Sequence, residues 1–514
     1  MKKKTWILIT LMYAAVFLTC FGVLYIMDKI AGPGGPAVVE SSAVAAESSP
    51  SEAREAERPY SPATPSRPAE SRPQEDWGNV DYRYEGWKKQ ITGAWAPPQK
   101  QEEPYRPPRL VLATDLHYQS ASADDGGKAF QEFVEHSDGK VVRYLPELLE
   151  AFLDEVIAER PSALVLSGDI TMNGEKMNHQ ELAHRLKRVQ DAGVQVLVIP
   201  GNHDINNYSA ASVYFGDVKT PAETVNAREF YEIYREFGYD QAFSRDEDSL
   251  SYAYALDDKN WLLMLDSAQY DPVNLVEGRL KDSTMAWMDK ILAEAQEKGI
   301  FVLPIAHHNL LYQSRMYTTQ CAMENNDQAI DLFQKYRLPL FFSGHLHVQR
   351  MRRYKAEPGV PDSDYGILEI VTDALSIPPC QYGFLDWKED GSLEYSTRAV
   401  DVSAWAAAHG VENQDLLDFP DWSYRYIQKL ISDQIGGVIR NLGDDIMKSM
   451  SGVYARVYMD YYAGRPIDRK AVRASAGYRW WERNLPDSYL LREIEAMMAD
   501  SDRDNNYYLW EGDR

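Results

Sequence analysis

Five short apolar segments of this chain are each followed at once by Asp, Asn or His residues, and this pattern constrains the fold more than any other feature. The segments lie between residues 109 and 342 and are separated by stretches with helical periodicity. Alternating strands and helices predict an α/β domain with a mainly parallel or mixed sheet. In open sheets of this class, ligands bind beyond the carboxyl ends of the strands, so we expect the polar residues to converge.

The spacing of apolar residues predicts the individual elements. Leucine, isoleucine, valine and phenylalanine side chains recur every three or four residues over 145–157, which predicts an amphipathic helix, and a second helix is predicted over 180–190. The predicted strands, including two that close the domain, are 109–114, 163–166, 194–199, 261–265, 301–305, 338–342, 366–371 and 383–387.

The residues that follow the strands are typical of metal ligands. An Asp-x-His or His-x-His pair leaving a strand places two side chains on the same side, where both can reach one ion. A glycine before Asp, Asn or His lets the backbone turn sharply and approach closely. Each motif alone is weak evidence, but five in this order at strand ends indicate a functional site. The motifs are Asp115-Leu116-His117, Gly168-Asp169, Gly201-Asn202-His203-Asp204, His307-His308 and Gly344-His345-Leu346-His347.

In this order, the motifs resemble the calcineurin-like metallophosphoesterase superfamily. The resemblance covers about residues 110–348, and the fold is expected to extend to about residue 402. The stretch Ser167-Gly168-Asp169-Ile170-Thr171-Met172-Asn173-Gly174-Glu175 is further similar to bacterial extracytoplasmic phosphodiesterase-like members. The resemblance implies a four-layer α/β fold, a β-sandwich flanked by helices, with two metal ions in its floor.

The resemblance also implies a role for each residue of the motifs. Mixed oxygen and nitrogen ligands suit Mn, Fe or Zn rather than Ca or Mg. The two ions would activate a bridging hydroxide, which attacks phosphorus in line with the leaving group. His203 would be the catalytic residue that stabilises the developing charge or protonates the leaving alkoxide. The implied ligands are Asp115, His117 and His347 for the first ion, Asn202, His307 and His345 for the second, and Asp169 bridging both.

Other polar residues nearby are open to two interpretations. Only one of His307 and His308 need be a ligand; the resemblance favours His307, and His308 would lie near the substrate or be structural. Asp204 either orients His203 or caps the segment that follows. Asp266 either fixes a ligand by a hydrogen bond or is a buried turn carboxylate. The residues interpreted as ordinary surface or helix residues are His136, His179 and His184.

A departure from one branch of the superfamily narrows the substrate class. Phosphoprotein phosphatases carry Gly-Asp-x-x-Asp-Arg-Gly, whose arginine grips the substrate phosphate, whereas this chain has Met172, Asn173 and Gly174 at the corresponding positions. The acidic partner of the catalytic histidine is also missing at Met172. We therefore predict a metal-dependent hydrolase of phosphoesters, most simply a phosphodiesterase. The alternatives are a phosphomonoesterase for small molecules and a non-catalytic, metal-bearing envelope binding protein.

Net charge and cysteine content exclude other classes of protein. The 514 residues include 54 Lys and Arg against 78 Asp and Glu, which gives a net charge of −24. A body this acidic repels nucleic-acid backbones, so we expect no nucleic-acid polymer as a partner. Whether the chain has a protein partner is left open by the sequence. Three cysteines without a CxxC pair exclude a disulfide scaffold and a cysteine-type zinc site. A disulfide between Cys321 and Cys380 is left open.

The N-terminal region predicts a membrane anchor and a tether. Lys2, Lys3 and Lys4 precede residues 6–27, which carry no charge and would rise about 33 Å as a helix, enough to cross a bilayer. We read residues 1–31 as an uncleaved single-pass anchor in the cell membrane, with the catalytic domain outside the cytoplasm; cleavage near Ala31 is left open. Residues 32–108 hold 13 of the 27 prolines and are predicted to be a linker, with an aromatic strap between Trp77 and Trp95.

The remaining chain divides into a catalytic domain, 109–402, and a helical region, 403–514. An apolar stripe from Ile427 to Tyr461 predicts one long helix that ends before Gly464, and another helix is predicted around 488–498. This region is interpreted as a helical appendage packed on the catalytic domain, with a lid or a dimer interface as the alternative. The acidic residues Asp500, Asp502 and Asp504 are expected to be solvated.

Overall fold

The computed structural model describes residues 106–354, 366–439 and 442–512. These residues form two mixed β-sheets, a short hairpin and a set of helices. The strands are β1 Arg109–Ala113, β2 Ala163–Ser167, β3 Gln195–Ile199, β4 Ser212–Phe215, β5 Val218–Pro221, β6 Ser244–Arg245, β7 Tyr252–Ala255, β8 Asn260–Leu265, β9 Phe301–Ala306, β10 Leu340–Ser343, β11 Arg350–Arg353, β12 Leu368–Val371, β13 Gln381–Trp387, β14 Leu393–Ala399 and β15 Tyr507–Trp510.

The helices lie mainly between the strands and after β14. They are α1 Lys128–Glu135, α2 Leu145–Glu159, α3 Lys176–Asp191, α4 Ala227–Tyr234, α5 Asp282–Lys298, α6 Asn326–Lys335, α7 Val402–Ala408, α8 Gln414–Leu417, α9 Phe419–Val438, α10 Asp444–Tyr462, α11 Arg469–Ala474, α12 Ala476–Asn484 and α13 Tyr489–Asp500.

Parallel pairing brings the functional strand ends to one edge of each sheet. The first sheet has the order β15-β14-β13-β1-β2-β3, and β1, β2 and β3 run parallel with Ala113 opposite Leu166 and Ser167 opposite Ile199. The second sheet has the order β11-β12-β10-β9-β8-β7-β6, in which β8, β9, β10 and β12 are parallel. The carboxyl ends of β1, β2 and β3 therefore align, as do those of β9 and β10.

The two sheets form the middle of a layered structure. Leu262 and Met264 of β8 share a buried cluster with residues of β1, whereas Leu263 and Leu265, which alternate with them, pack against α5 and α6. Opposite faces of a strand carry alternate residues, so the second sheet is covered by the first sheet on one side and by helices on the other. Leu149 of α2 and Leu182 of α3 join the cluster that contains the first sheet.

The predicted α/β fold is confirmed, and the predicted strands lie within two residues of the observed ones. The predicted helices correspond to α2 and α3. Cys321 and Cys380 are both buried and free, so they form no disulfide. Across the described ranges, no helix is long and apolar enough to span a membrane. The predicted anchor, the linker up to residue 105 and the aromatic strap lie outside those ranges.

The C-terminal region differs from its predicted form in three ways. The stripe from Ile427 to Tyr461 belongs to two helices, α9 and α10, rather than one. Glycine has low helix propensity, and Gly436, Gly437 and Gly443 flank the break between them. The chain then ends in β15, which pairs antiparallel with β14 at the edge of the first sheet. Asp500 is buried rather than solvated.

Candidate metal centre

Backbone hydrogen bonds hold the strand-end loops together. The Asp115 N–H donates to the carbonyl of Gly168 at 3.1 Å, and the His117 N–H donates to the carbonyl of Asp169 at 2.9 Å. Within the second sheet, the Gly344 N–H donates to the carbonyl of His307 at 2.9 Å, and the His345 N–H joins the two sheets by donating to Oδ2 of Asp115 at 2.9 Å. The loops after β1, β2, β9 and β10 thus meet over the strand ends, as the parallel sheets predict.

Five of the seven predicted ligands have a left-handed backbone, which non-glycine residues seldom adopt. The φ angles are 53° at Asp115, 44° at His117, 48° at Asp169, 66° at His345 and 61° at His347. Such conformations cost about 1–3 kcal/mol each and persist where the surrounding fold imposes them, often at functional sites. The concentration of this strain in one cluster indicates that the loops are shaped to aim side chains inward.

Two glycines allow the loops to approach this closely. A Cβ atom at Gly168 would lie 2.6 Å from the imidazole ring of His307, and Gly168 itself has a φ of 94°. At Gly344, a Cβ atom would lie 2.7 Å from Oδ2 of Asp115. Larger residues at either position would push a predicted ligand out of place.

The first set of predicted ligands forms a tight buried cluster. Nε2 of His347 lies 3.2 Å from Oδ1 of Asp115 and 3.2 Å from Nε2 of His117. Asp169 Oδ2 lies 3.9 Å from Nε2 of His117. Asp115 Oδ1 is buried and has no hydrogen-bond partner among the described residues, and its other oxygen accepts from Thr114 Oγ1 and His345 N. These four ligand atoms, one of them the unsatisfied oxygen of Asp115, lie within 4.8 Å of one another and fit a metal ion.

The second set converges on the same bridging carboxylate. Nε2 of His307 lies 3.2 Å from Oδ2 of Asp169 and 3.2 Å from Oδ1 of Asn202. Its Nδ1 lies 3.0 Å from the carbonyl of Ser167, which fixes the ring in the orientation typical of metal-bound histidines. Nε2 of His345 is 2.9 Å from the carbonyl of Gln320, leaving its Nδ1 for an ion. Asp169 therefore lies between both sets, where a bridging ligand is expected.

His308 lies beside this second set but both of its ring nitrogens are already engaged. Nδ1 is 2.8 Å from Oγ of Ser267, and Nε2 is 3.0 Å from the carbonyl of Val276. The carbonyl can only accept, so Nε2 carries the proton and Nδ1 accepts from the serine hydroxyl. His308 is thus a buried neighbour of His345, and His307 is the member of the pair that faces Asp169.

Burial and neighbouring charges together set the pKa values of the site residues, and at Asp169 and His307 they act in opposite directions. Burial works to raise the pKa of Asp169, but His307 and His203 outweigh it and hold that pKa well below its usual range. Burial alone would lower the pKa of His307, yet Asp169 and Asp115 raise it to about 9. Burial, followed by the charge of His307, lowers the pKa of His345 to about 4. The carboxylates are ionised, which is the form that binds metal.

His203 lies at the solvent-facing side of the cluster, with 32% of its side chain exposed. Its backbone N–H donates to Oδ1 of Asp169 at 2.7 Å. Nδ1 lies 2.8 Å from the carbonyl of Met172 and 3.0 Å from Oδ1 of Asn173. Both partners are acceptors, so Nδ1 carries the proton and Nε2, 4.0 Å from Oδ2 of Asp169, faces the site. The Met172 carbonyl and the Asn173 side-chain amide therefore take the place of the acidic partner that this chain lacks.

Asp204 and Asp266, which the sequence left with two interpretations, both hold backbone segments in place. Asp204 accepts hydrogen bonds from the backbone of Gly201, Ile170 and Thr171 and therefore ties the loop after β3 to the loop after β2, without contacting the His203 ring. Asp266 accepts from Leu250 N, Ala268 N and Tyr270 Oη, as a buried turn carboxylate does. His136 and His184 are exposed, whereas His179 is buried on α3.

Sequence patterns missed one buried carboxylate that shapes the site. Glu369 of β12 accepts from Leu310 N at 2.8 Å, Leu311 N at 2.6 Å and Ser343 Oγ at 2.6 Å. It thereby connects the loop that follows His307 to the strand that precedes His345. Its position inside an apolar strand, Leu-Glu-Ile-Val, was the available signal, because a charged residue flanked by buried residues needs internal partners.

Comparisons with known proteins agree with this geometry. Residues 108–349 match a family model described as calcineurin-like phosphoesterase. Residues 401–504 match a second model, described as the C-terminal domain of cyclic nucleotide phosphodiesterase. None of the curated proteins matches the chain.

Solved structures similar to the chain include a dimetal phosphatase, a purple acid phosphatase and PhoD. A dimetal phosphatase from Danio rerio has a TM-score of 0.41 and 15% identity over 57% of this chain and 97% of its own. Purple acid phosphatase PPD1 from yellow lupin has a TM-score of 0.36 and 15% identity over 58% of this chain and 52% of its own. PhoD has a TM-score of 0.35 and 10% identity over 57% of this chain and 66% of its own. Residues 108–349 are therefore a calcineurin-like phosphoesterase domain, which confirms the predicted resemblance to this superfamily for that part of the chain.

Proposed function

We propose that this chain is a membrane-tethered phosphodiesterase with two transition-metal ions, Mn, Fe or Zn. The observation that carries the catalytic part is the convergence of two ligand sets on Asp169, with His203 beside them at the exposed side. Residues 6–27 support the tether, because they form the one long uncharged apolar stretch before the catalytic domain.

The two ligand sets would bind the metal ions, and His203 would transfer a proton. Two ions held there would supply Lewis acidity toward phosphoryl oxygens and increase the acidity of water. The Met172 carbonyl and Asn173 keep the proton on Nδ1 of His203, so that Nε2 is the atom that exchanges a proton with the leaving oxygen. The hydrogen bond from His203 N to Asp169 fixes the backbone of this histidine relative to the bridging carboxylate.

Preference for a diester is supported by the C-terminal region. Residues 401–504 match a model named for cyclic nucleotide phosphodiesterase, and this region packs on the catalytic domain. A cyclic nucleotide is an internal phosphodiester, so 3′,5′-cyclic nucleotides are the first physiological substrates to test. The absent Gly-Asp-x-x-Asp-Arg-Gly motif argues against a phosphoprotein substrate.

The test compares two esters with the full-length chain in detergent. We expect the Mn-loaded protein to hydrolyse bis-p-nitrophenyl phosphate faster than p-nitrophenyl phosphate. Asp169→Asn should abolish turnover and lower Mn content, since it weakens the ligand shared by both sets. His203→Ala should retain Mn but lower kcat by about 100-fold or more, the usual contribution of a positioned proton donor.

Other outcomes separate the alternatives. Faster turnover of the monoester would favour a phosphomonoesterase. A protein that binds Mn, Fe and Zn but hydrolyses neither ester nor a cyclic nucleotide would be a metal-bearing binding protein. If His203→Ala had unchanged turnover, the assigned role of this histidine would be wrong.

A further inference from the structure

The turn that follows β3, residues 201–205, carries a predicted metal ligand on an uncharged side chain. Oδ1 of Asn202 lies 3.2 Å from Nε2 of His307, its partner in the second ligand set. Asn202 is buried, whereas the next residue, His203, is partly exposed. The Asn202 side chain is short, so the backbone of the turn determines where its oxygen lies.

The carboxylate of Asp204 holds this turn on the side of the first sheet. It accepts from the Gly201 N–H at 2.8 Å, within the turn itself. It also accepts from the N–H groups of Ile170 at 3.3 Å and Thr171 at 2.9 Å, in the loop after β2. On this side, the turn is therefore fixed to the segment that carries Asp169.

Asn274, in the loop between β8 and α5, holds the same turn on the side of the second sheet. Its Nδ2 lies 2.7 Å from the carbonyl oxygen of Asn202 and 2.8 Å from that of Ile205. A carbonyl can only accept, and a side-chain NH2 group has two hydrogens, so Asn274 donates one hydrogen bond to each. One side chain thus joins the two ends of the stretch 202–205, and the first of these ends is the ligand itself.

The loop that carries Asn274 also reaches His345, another ligand of the second set. Glu277 Oε1 accepts from Nε2 of Gln320 at 2.6 Å, and the carbonyl of Gln320 is 2.9 Å from Nε2 of His345. The carbonyl of Val276 is 3.0 Å from Nε2 of His308, the buried neighbour of His345. None of these contacts involves a ligand of the first ion, so we expect the loop to act on the second.

Internal hydrogen bonds hold the loop in the shape that presents Asn274. The Leu275 N–H donates to the carbonyl of Gln269 at 2.8 Å, and Nε2 of Gln269 donates to the carbonyl of Glu277 at 2.9 Å. Nδ2 of Asn206, one residue beyond the turn, donates to the carbonyl of Tyr270 at 2.9 Å. This second link keeps the loop and the turn together, at the distance across which Asn274 acts.

We propose that Asn274 is a positioning residue for the second metal ion, on which it acts through the backbone of its ligand Asn202. This inference rests on the proposed function for the presence of two ions, but it concerns metal affinity and not turnover. Loss of the Asn274 amide should weaken binding of the second ion. The first ion, whose other ligands Asp115, His117 and His347 lie on different loops, should bind as in wild type.

The experiment titrates Mn into the metal-free full-length chain in detergent by isothermal titration calorimetry. Asn274→Ala removes both donors, and we expect the second ion to bind about tenfold or more weakly and the first within about twofold of wild type. Asn274→Asp keeps the shape but replaces the donors by an oxygen. Its added negative charge would by itself attract a cation, so weaker binding of the second ion in this variant too would identify the hydrogen bonds as the cause.

Asn484→Ala is the matched control, because Asn484 is also a partly buried asparagine whose Nδ2 donates to a backbone carbonyl, that of Trp480, but it lies on α12. Both Mn affinities should be unchanged in this variant. Circular dichroism checks that each variant is folded.

Electron paramagnetic resonance at equal Mn loading gives a readout that general destabilisation would not move. The wild type should show the broad spectrum of a magnetically coupled Mn pair. The Asn274 variants should show more of the hyperfine-split spectrum of an isolated Mn ion, because the second position is only partly filled.

Two results would overturn the inference: equal weakening of both ions, or affinity for the second ion within twofold of wild type in folded Asn274→Ala. A wild type that binds a single Mn ion would contradict both this inference and the proposed function. If the wild type binds two Mn ions in an Asn274-dependent way but hydrolyses neither ester, the proposed function fails and the role of Asn274 stands.

Discussion

At the scale of single residues, the buried carboxylates differ in what surrounds them. Asp115 and Asp169 face several histidines, which outweigh burial and keep the pKa of both carboxyl groups below its usual range. Glu493 of α13 is only 2% exposed and accepts a hydrogen bond from the Tyr454 hydroxyl at 2.7 Å. Burial raises the pKa of Glu493 to about 7. Negative charge is thus favoured at Asp115 and Asp169 and disfavoured at Glu493.

This difference predicts how stability depends on pH. The pKa of Glu493 rises from 4.5 to about 7 on folding, so between these values the native state binds more protons than the unfolded state, and stability falls as pH increases. Glu493→Gln removes the ionisation but keeps the shape. We expect this variant to be more stable than wild type at pH 8 by roughly 3 kcal/mol, from about 1.4 kcal/mol per pKa unit, and nearly equal at pH 4.5.

Thermal unfolding at both pH values measures this difference as a Tm shift. Glu482→Gln serves as the control, because Glu482 is exposed on the neighbouring α12. Its Tm difference from wild type should be the same at pH 4.5 and pH 8. A Glu493→Gln shift that is also independent of pH would show that Glu493 is not protonated in the folded protein.

The identity of the predicted metal ligands could be read from the sequence, whereas the groups that orient their side chains could not. The motifs gave the ligand types because a metal restricts them to a few side chains. The rings of His307, His345 and His203 are oriented by the carbonyls of Ser167, Gln320 and Met172, and every residue type offers a carbonyl. Only the folded chain shows which carbonyls these are.

At the scale of elements, the C-terminal helices support the loop that orients His345. This loop, between β9 and α6, includes Gln320, whose carbonyl contacts the His345 ring. The Tyr317 and Tyr462 hydroxyls are 2.6 Å apart, which joins the loop to α10. Asp500, at the end of α13, accepts from the backbone of Arg315 at 2.8 Å and from the hydroxyl of Ser314 at 3.2 Å.

Removing the Asp500 carboxylate should therefore weaken metal binding from a distance. Asp500→Ala frees the loop at Ser314 and Arg315, so that the Gln320 carbonyl no longer holds the His345 ring as firmly. We expect Mn affinity to fall by roughly threefold to tenfold, less than for direct loss of a partner of a metal ligand. Titration calorimetry with Mn measures the affinity, and circular dichroism checks that the helices remain.

Asp502→Ala is the matched control, because Asp502 is exposed two residues further along the chain. It should bind Mn as wild type does. Equal Mn affinity in the two variants would mean that the C-terminal helices stabilise the fold without affecting the metal centre.

Elements with a sustained apolar period could be predicted, and those without one could not. The strands that carry the ligands are buried on both faces and read as apolar runs. The stripe from Ile427 to Tyr461 keeps its period across the break because α9 and α10 both bury their apolar faces. β15 has four residues with alternating exposure, so its pairing with β14 depends on contacts far apart in sequence.

At the scale of the whole molecule, the acidic body and the proposed anchor act together. A net charge of −24 disfavours adsorption to anionic lipid surfaces, so association with a membrane requires an apolar segment.

The tether can be tested by fractionating cells that express the full chain. We expect it in the membrane fraction, resistant to 1 M salt and to alkaline carbonate, and released by detergent, because a spanning segment is held by burial of apolar surface rather than by charge. A variant lacking residues 1–31 should be soluble and should hydrolyse the same ester at the same rate per molecule. Release of the full chain by salt would point to electrostatic adsorption. A soluble product whose N-terminus begins near Ala31 would show that the segment is a cleaved signal and not an anchor.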